Sequence, residues 1–170
     1  MYINKGENIT MESNTNYTKS VTGVVIKDGK VLLARHTYGA GKNMLVVPGG
    51  YVDYGEAPED AVKREYLEET KIVVEPREII GIRFNMHDWY VAFRAEYVSG
   101  EAVTDGDENS EVIWLDVEEA LCRDDVANLT KELIKLASCS KACLVADETY
   151  AESGKYAPYS FYGAKGEIKA

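Results

Sequence analysis

The sequence predicts an α+β fold, an α/β/α sandwich in which helices cover both faces of a mixed β-sheet. Short segments rich in apolar and β-branched residues flank one acidic helical segment, and further helical patterns follow toward the C-terminus. Strands around a helix, followed by terminal helices, bury their apolar faces best in such layers. The length of 170 residues and the hydrophobic content of 45% fit one folded domain with a sizeable core.

Composition divides the chain into three parts. Residues 1–18 form a polar N-terminal segment, residues 19–137 the folded domain, and residues 138–170 a C-terminal extension. The extension is expected to contain a helix over residues 141–152 and an aromatic tail made of Tyr156, Tyr159, Phe161 and Tyr162. Such a tail docks on its own domain, joins a subunit interface or covers a site, so a homodimer is one possibility.

Strands are predicted where β-branched and apolar residues form short runs. These runs cover residues 21–27, 31–35, 45–47, 72–74, 78–84, 89–98 and 111–116. Asp28-Gly29 stands between the first two and is typical of a tight hairpin turn.

Helices are predicted over residues 58–70, 117–122 and 124–137. Pro58 suits the first position of a helix, and the acidic residues Glu59 and Asp60 complement its positive end. Lys71 follows this first helix, where glycine would make a better stop.

The net charge of −10 disfavours binding to nucleic-acid backbone or to an anionic membrane. It still permits a nucleotide ligand, because a bound cation reverses the sign locally. No apolar run approaches the length of a membrane span, and the first twenty residues lack the apolar centre of a signal peptide. We therefore expect a cytoplasmic protein whose partner is a small molecule.

Three glutamates are concentrated on one side of the first predicted helix. At 100° per residue, Glu65, Glu68 and Glu69 fall within about one third of its circumference. Each carboxylate pair at ~4 Å would repel by roughly 4 kcal/mol at an effective dielectric constant of ~20. A solvated acidic face is the simple interpretation of a lone acidic helix. A proton, a basic partner or, best, a hard divalent cation would offset the charge if the three residues face the core.

The segment from Gly50 to Ile72 resembles the signature of the Nudix hydrolases. A glycine, five residues, Glu56, seven residues and then Arg64-Glu65-x-x-Glu68-Glu69 follow that family's spacing. Pro48-Gly49 leads into the segment, and the resemblance extends over about residues 19–137. Lys71 replaces the family's glycine, and Tyr66 replaces its usual aliphatic residue. Neither change removes a charged group.

The resemblance implies hydrolysis of a nucleoside diphosphate linked to another group, with Mg²⁺ as cofactor and Mn²⁺ as a possible substitute. Glu65, Glu68 and Glu69 would be the metal ligands, and the main-chain carbonyl of Gly49 would be a further one. Oxygen ligands fit these hard cations better than zinc.

Further catalytic roles are also implied by the resemblance. Glu56 and Arg64 would form a supporting ion pair, for which a surface pair of little effect is the alternative. Glu108, in the acidic loop before residues 111–116, would supply another carboxylate to the metal or act as general base. Glu111 is the next candidate, and a solvated acidic loop is the alternative for both.

Five residues outside the acidic helix are candidates for substrate binding. Aromatic side chains stack on bases and arginines contact phosphate, which points to Arg35, Arg83, Phe84, Trp89 and Tyr90. Aromatic residues at strand spacing are often core residues instead, and the register decides between the two interpretations.

The substrate and the functional class stay open at this point. A nucleoside triphosphate is as plausible a substrate as a sugar-linked nucleotide. A catalytically silent nucleotide sensor derived from the same fold is the second interpretation, although such a protein would be expected to lose some of these carboxylates. A structural domain that acts through its aromatic tail is the third.

Overall fold

The computed structural model describes residues 18–39, 41–85, 87–139, 143–146 and 162–164. Nine strands and three helices occur in this part of the chain. In order they are β1 (Thr18–Lys27), β2 (Lys30–His36), β3 (Leu45–Val46), β4 (Gly49–Tyr51), α1 (Pro58–Thr70), β5 (Val73–Phe84), β6 (Asp88–Ser99), β7 (Asn109–Asp116), α2 (Val117–Cys122), α3 (Asn128–Ser138), β8 (Leu144–Ala146) and β9 (Tyr162–Ala164).

The strands form one mixed sheet in which β1 is central. Strand β1 runs parallel to β6 and antiparallel to β2 and β4. Strand β2 also pairs with β3 and β7, while β5, β8 and β9 extend the sheet beyond β6. The predicted mixed sheet is confirmed.

Helices cover both faces of the sheet, as the predicted sandwich requires. On one face α1 packs on the sheet through Ala61, Val62 and Tyr66. On the other face the α3 residues Leu133 and Ile134 pack in a second core. Each core holds side chains from alternate positions of β1, because successive residues of a strand point to opposite faces.

Tyr66 occupies a position of α1 where relatives usually have an aliphatic residue, and its side chain is fully buried between the helix and the sheet. Its hydroxyl donates a 2.7 Å hydrogen bond to the carbonyl oxygen of Gly23. A Cβ atom at Gly23 would lie only 2.9 Å from the Tyr66 ring. The glycine in β1 therefore provides the space for the larger side chain and an acceptor for its hydroxyl.

The Asp28-Gly29 turn has the backbone conformation that its sequence predicts, and α1 ends in a left-handed residue although that residue is a lysine. Asp28 and Gly29 have φ angles of 51° and 75°, which give the tight hairpin between β1 and β2. Lys71 ends α1 in the left-handed conformation with φ 61°, where glycine would fit without strain. Its Nζ donates to the Glu68 carbonyl oxygen, a group that the end of the helix leaves free.

The structure differs from the predicted elements at several places within the domain, and the short strand β4 (Gly49–Tyr51) was not predicted at all. The segments 72–74 and 78–84 form the single strand β5, whose register shifts between Pro76 and Glu78 let it continue past the proline. Helix α3 begins at Asn128 and not at residue 124. The preceding Asp125 instead pairs with Arg35 and Arg123.

The helix expected over residues 141–152 is wrong for residues 144–146, which form β8. Leu144 and Val145 extend the sheet along β5, and this pairing outweighs the local helical tendency. The rest of that segment and Tyr156, Tyr159 and Phe161 of the tail lie outside the described residues. Tyr162 contacts Phe93 edge-on at 5.9 Å and donates a hydrogen bond to Glu59, so this residue docks on its own domain.

None of the helices in the described segments is long and apolar enough to span a membrane, and the longest, α1, has 13 residues.

Candidate active site

The C-terminal half of α1 presents Glu65 and Glu69 to the glycine turn at β4. A Cβ atom at Gly50 would lie 2.3 Å from the Glu65 Oε1 atom, so only glycine allows the carboxylate this close to the strand. One position earlier, a Cβ atom at Gly49 would lie 2.2 Å from the carbonyl oxygen of Val21. The two glycines thus let β4 lie tightly between β1 and the acidic helix.

Glu69 is a buried carboxyl group, with only 3% of its surface exposed. Burial raises its pKa to about 8, and the neighbouring charges of Glu65 and Glu108 add to this effect. The backbone N–H of Gly49 and the side chain of Asn109 donate hydrogen bonds that partly offset it. The site therefore favours taking up a proton or a cation at Glu69.

Glu65 responds to the same environment. Burial raises its pKa, the nearby guanidinium of Arg64 opposes the shift, and the charges of Glu68 and Glu108 reinforce it. Repulsion among acidic groups thus acts on both buried carboxyls of the helix. A positive charge placed between them would be strongly stabilised.

Arg64 and Glu56 form a bidentate ion pair. Arg64 Nε donates to Glu56 Oε1 and Arg64 Nη2 to Glu56 Oε2, both at 2.9 Å. The backbone N–H of Asp53 donates to the same carboxylate at 3.0 Å. Hydrogen bonding to Arg64 is the largest cause that holds the pKa of Glu56 below its ordinary value. The loop before α1 is thereby tied to the helix.

The remaining donors of Arg64 reach the acidic residues. Its Nη1 donates to Glu65 Oε1 at 2.8 Å and to Glu68 Oε2 at 3.3 Å. Its Nη2 also donates to the carbonyl oxygen of Tyr51. Arg64 thus contacts Glu56, two of the acidic residues of the helix and the backbone of β4.

Glu68 is placed differently from its two neighbours. Its side chain is 60% exposed and pairs with Arg64 at the rim. In the part of the chain that the structure describes, no group of three or more His, Cys, Asp or Glu side chains is already arranged to hold a metal ion. The structure thus brings Glu65 and Glu69 together and leaves Glu68 at the exposed rim.

The first residue of β7 contacts the acidic helix, and the loop before it contacts Tyr38. Asn109 Nδ2 donates to Glu69 Oε2 at 3.3 Å, and the Tyr38 hydroxyl donates to Glu108 Oε2 at 2.9 Å. Burial and then the hydrogen bond to Glu108 raise the pKa of Tyr38 to about 12, and the charges of Glu65 and Glu69 contribute. Glu108 therefore shares the electrostatic environment of the two buried glutamates.

Sequence reasoning missed Tyr38 and Asn109. The bulge between Arg35 and His36 shifts the strand register so that His36 pairs with Asn109. The residue spacing does not predict this register shift. The one available signal for Asn109 was its position directly after the candidate Glu108.

The residues fit a hard divalent cation. All candidate ligands are oxygen atoms, which is the donor set that Mg²⁺ and Mn²⁺ prefer. The glycine turn leaves room for the Glu65 carboxylate, and any side chain at Gly50 would fill that space. The buried Oδ1 atom of Asn109, next to Glu69, has no hydrogen-bond partner among the described residues.

The structure separates the predicted substrate-binding residues onto two faces of the sheet. Arg83 lies over the Tyr90 ring, with its Cζ 4.8 Å from the ring centroid, on the face that α3 covers. Phe84 and Trp89 contact each other edge-on at 5.3 Å on the opposite face, where both are more than half exposed. Successive residues of a strand point to opposite faces, so Arg83 and Phe84 lie on different faces, as do Trp89 and Tyr90.

A cavity of about 210 Å³ adjoins the glycine turn on the face with Tyr90. The residues that line it include Ser20, Thr22, His36, Gly49, Gly50 and Tyr90. Among the five predicted substrate-binding residues, Tyr90 is the one in this lining. Burial lowers the pKa of His36 below its ordinary value, and the charges of Glu108 and Asp105 partly oppose this shift.

Arg35 forms contacts with residues outside this cavity. Its guanidinium donates to Glu111 at 2.8 Å, to Asp125 at 3.0 Å and to the carbonyl oxygen of Asn43 at 2.9 Å. These contacts connect β2 with β7 and with the segment before α3. These three bonds use three of the five N–H donors of the guanidinium.

Comparison with known proteins agrees with this fold. Residues 17–136 match the NUDIX domain, and the chain belongs to this family. The solved structures that it resembles include a NUDIX hydrolase from Nitrosomonas europaea, with a TM-score of 0.64, 24% identity and coverage of 71% of this chain and 69% of that one. A NUDIX-family hydrolase from Clostridium perfringens has a TM-score of 0.63 and 18% identity, over 72% of this chain and 96% of that one.

Curated relatives have several different activities in their names. An ADP-ribose pyrophosphatase of Methanocaldococcus jannaschii is 30% identical over 58% of this chain and 61% of its own length. A MutT-like protein of Streptomyces ambofaciens is 37% identical over 61% of this chain and 66% of its own. An NAD-capped RNA hydrolase NudC of Vibrio cholerae is 38% identical over 55% of this chain and 35% of its own length. The chain thus spans less than two thirds of the length of each of these relatives.

Proposed function

We propose that this protein is a Mg²⁺-dependent pyrophosphohydrolase, in which Mn²⁺ can substitute. Its substrate would be a nucleoside diphosphate linked to another group, cleaved by attack of water at phosphorus. The observation that carries the proposal is the buried Glu69 carboxyl, with a pKa of about 8, beside Glu65 at a glycine turn that borders a cavity. Such a perturbed acidic pair in a cleft is typical of functional sites.

Glu65, Glu68 and Glu69, with the main-chain carbonyl of Gly49, would hold the cation, and Glu108 would either add a further ligand or act as general base. When bound, Mg²⁺ would neutralise charge on the diphosphate oxygens and lower the pKa of a coordinated water. The exposed Glu68 would turn inward from its contact with Arg64. Arg64 would keep Glu65 in place through its Nη1 contact, while Glu56 fixes the guanidinium.

Glu108 is our candidate for the proton acceptor. Tyr38 holds its carboxylate by a hydrogen bond, and the loop carbonyls of Asp107 and Glu108 accept hydrogen bonds from the Thr37 side chain. A general base must keep a fixed position relative to the attacking water. The contacts of Glu108 meet this requirement better than those of Glu111, which pairs with Arg35.

The nucleoside would bind in the cavity with Tyr90 as its aromatic wall. The hydroxyl groups of Ser20 and Thr22 line the same cavity, although both already donate hydrogen bonds within the protein. Arg83, on the outer side of the Tyr90 ring, would support that ring rather than contact phosphate directly. One relative is named as an ADP-ribose pyrophosphatase and another as an NAD-capped RNA hydrolase, which supports including ADP-ribose and NADH among the substrates to test. The net charge of −10 argues against an RNA polymer.

The test is a substrate panel with Mg²⁺ that includes ADP-ribose, NADH, nucleoside triphosphates and nucleotide sugars. The wild type should release product from at least one of them, and Glu69→Gln should lower kcat by at least ~100-fold. Glu101→Gln makes the same chemical change at an exposed glutamate and should leave kcat unchanged. A wild type that binds nucleotides but turns over none of the panel would refute the enzyme and favour the sensor.

A further inference from the structure

Asn109 combines three features that are unusual in one polar side chain. It is fully buried, its Nδ2 donates to Glu69 Oε2 at 3.3 Å, and its Oδ1 has no partner among the described residues. A buried amide oxygen left without a partner costs about 1–3 kcal/mol. A leucine of similar size would avoid that cost, so the amide is present at the expense of stability.

The backbone of Asn109 is held independently of its side chain. Its N–H donates to Asp105 Oδ1 at 3.0 Å, and its carbonyl accepts a hydrogen bond from the Thr104 hydroxyl. The pairing of Asn109 with His36 between β7 and β2 is a third constraint on its backbone. The amide group is therefore not needed to shape the loop.

The direction of the amide matches the charge of its neighbour. A carboxylate is acceptor-only, so Nδ2 and not Oδ1 must face Glu69 when Glu69 is ionised. The other contact that steadies Glu69 is the backbone N–H of Gly49. Donors from β4 and from β7 thus approach the same carboxylate and restrict its rotation.

We propose that Asn109 is a positioning residue, which holds the Glu69 carboxylate ready for the divalent cation and accepts a hydrogen bond at Oδ1 from an internal water beside it. This inference rests on the proposed function, because it assigns Asn109 to the same site. Groups that orient metal ligands typically change metal affinity or activity by about 10–100-fold when they are removed. The loss of stability caused by the buried amide would then be explained by its function, because the amide places the metal ligand Glu69 correctly.

The test uses Mn²⁺ alone as the probe, with free Mn²⁺ followed by electron paramagnetic resonance. Asn109→Leu should bind Mn²⁺ at least about 10-fold more weakly than the wild type. With substrate, kcat should fall by a similar factor while KM for the substrate stays unchanged. Asn109→Ala provides the same comparison if leucine prevents folding, which circular dichroism would reveal.

Thr104→Val is the matched control. It removes the hydroxyl that bonds to the Asn109 carbonyl but leaves the amide and Glu69 untouched. We expect a lower Tm with unchanged Mn²⁺ affinity. If both Asn109 variants lower Tm in the same way and keep full Mn²⁺ affinity and kcat, Asn109 is a structural residue and the inference is wrong.

The two proposals fail in different ways. A wild type that binds Mn²⁺ but hydrolyses no substrate would overturn the proposed function, while the Mn²⁺ affinities of the variants would still decide the role of Asn109. A wild type that hydrolyses a substrate with Mn²⁺ while Asn109→Leu and Asn109→Ala match it would overturn this inference alone. A wild type that binds no Mn²⁺ would overturn both.

Discussion

Tyr38 donates the hydrogen of its phenolic hydroxyl to the Glu108 carboxylate over 2.9 Å, and this bond joins the loop after β2 to the loop before β7. The Tyr38 ring also stacks on His36, with centroids 5.7 Å apart and planes 4° from parallel. His36 lines the cavity next to the glycine turn. One tyrosine thus connects the candidate proton acceptor with the wall of the candidate substrate pocket.

Replacing Tyr38 by Phe should lower kcat by about 3- to 10-fold, the equivalent of one hydrogen bond. The ring and its stacking on His36 stay, so KM should change little. Tyr97→Phe is the control, because it removes a hydroxyl that donates to the Gly100 carbonyl oxygen at a comparable 2.9 Å. Steady-state kinetics of both variants test this prediction, and equal kcat values would contradict a role for the Tyr38 hydroxyl.

Arg64→Lys should weaken Mn²⁺ binding and lower kcat by about 10-fold or more. Lysine keeps the charge but cannot make the planar, two-pronged contact with Glu56 while also donating to Glu65. Arg77→Lys alters a comparable guanidinium contact, to Glu96, away from the site and should have no effect on either quantity. Wild-type affinity and kcat in Arg64→Lys would show that the charge alone suffices.

The stability of the metal-free protein should depend on Glu69. The folded protein keeps the Glu69 proton up to about pH 8, while the unfolded chain releases it near its ordinary value of 4.5. The folded state therefore binds more protons between these values, and the free energy of unfolding should fall as the pH rises through them. Urea unfolding in EDTA at about pH 5 and about pH 8 measures this difference.

Glu69→Gln is the matched variant for that experiment. Glutamine has no proton to lose, so the fall in stability between the two pH values should be smaller than in the wild type. Identical falls in both proteins would show that the pKa of Glu69 is not raised.

Lys71→Gly should raise the free energy of unfolding by ~1 kcal/mol, because glycine adopts the left-handed conformation without the strain of a side chain. The φ angle of 61° at Lys71 is the basis for this expectation. Lys71→Ala removes the contact with the Glu68 carbonyl but keeps a Cβ atom, so it separates the two effects. The prediction fails if the glycine variant is no more stable than the alanine variant in urea.

The acidic helix and the strands around it were predictable because their signals are local. The spacing from Gly50 to Glu69 and the Pro58 start of α1 need no knowledge of distant contacts, and both agree with the structure. The Asp28-Gly29 turn is equally local. The position of one helix and of its leading turn can therefore be predicted from the sequence.

The remaining features depend on contacts between distant segments. Tyr38 and Asn109 approach the glutamates only because β2 and β7 pair across a bulge, which no local pattern predicts. The same applies to Phe84 and Tyr90, whose opposite faces follow from the register of β5 against β6. Strand β8 was mistaken for part of a helix because its partner, β5, lies more than sixty residues earlier in the chain.

The most direct test of the central claim is the affinity of the protein for Mn²⁺ with and without the Glu69 charge. Glu65 and Glu69 are proposed to hold a divalent cation against the glycine turn, so the wild type should bind Mn²⁺ at this site. Glu69→Gln should bind it at least ~10-fold more weakly, while Glu101→Gln should equal the wild type. Equal Mn²⁺ affinity in the wild type and Glu69→Gln would contradict the account.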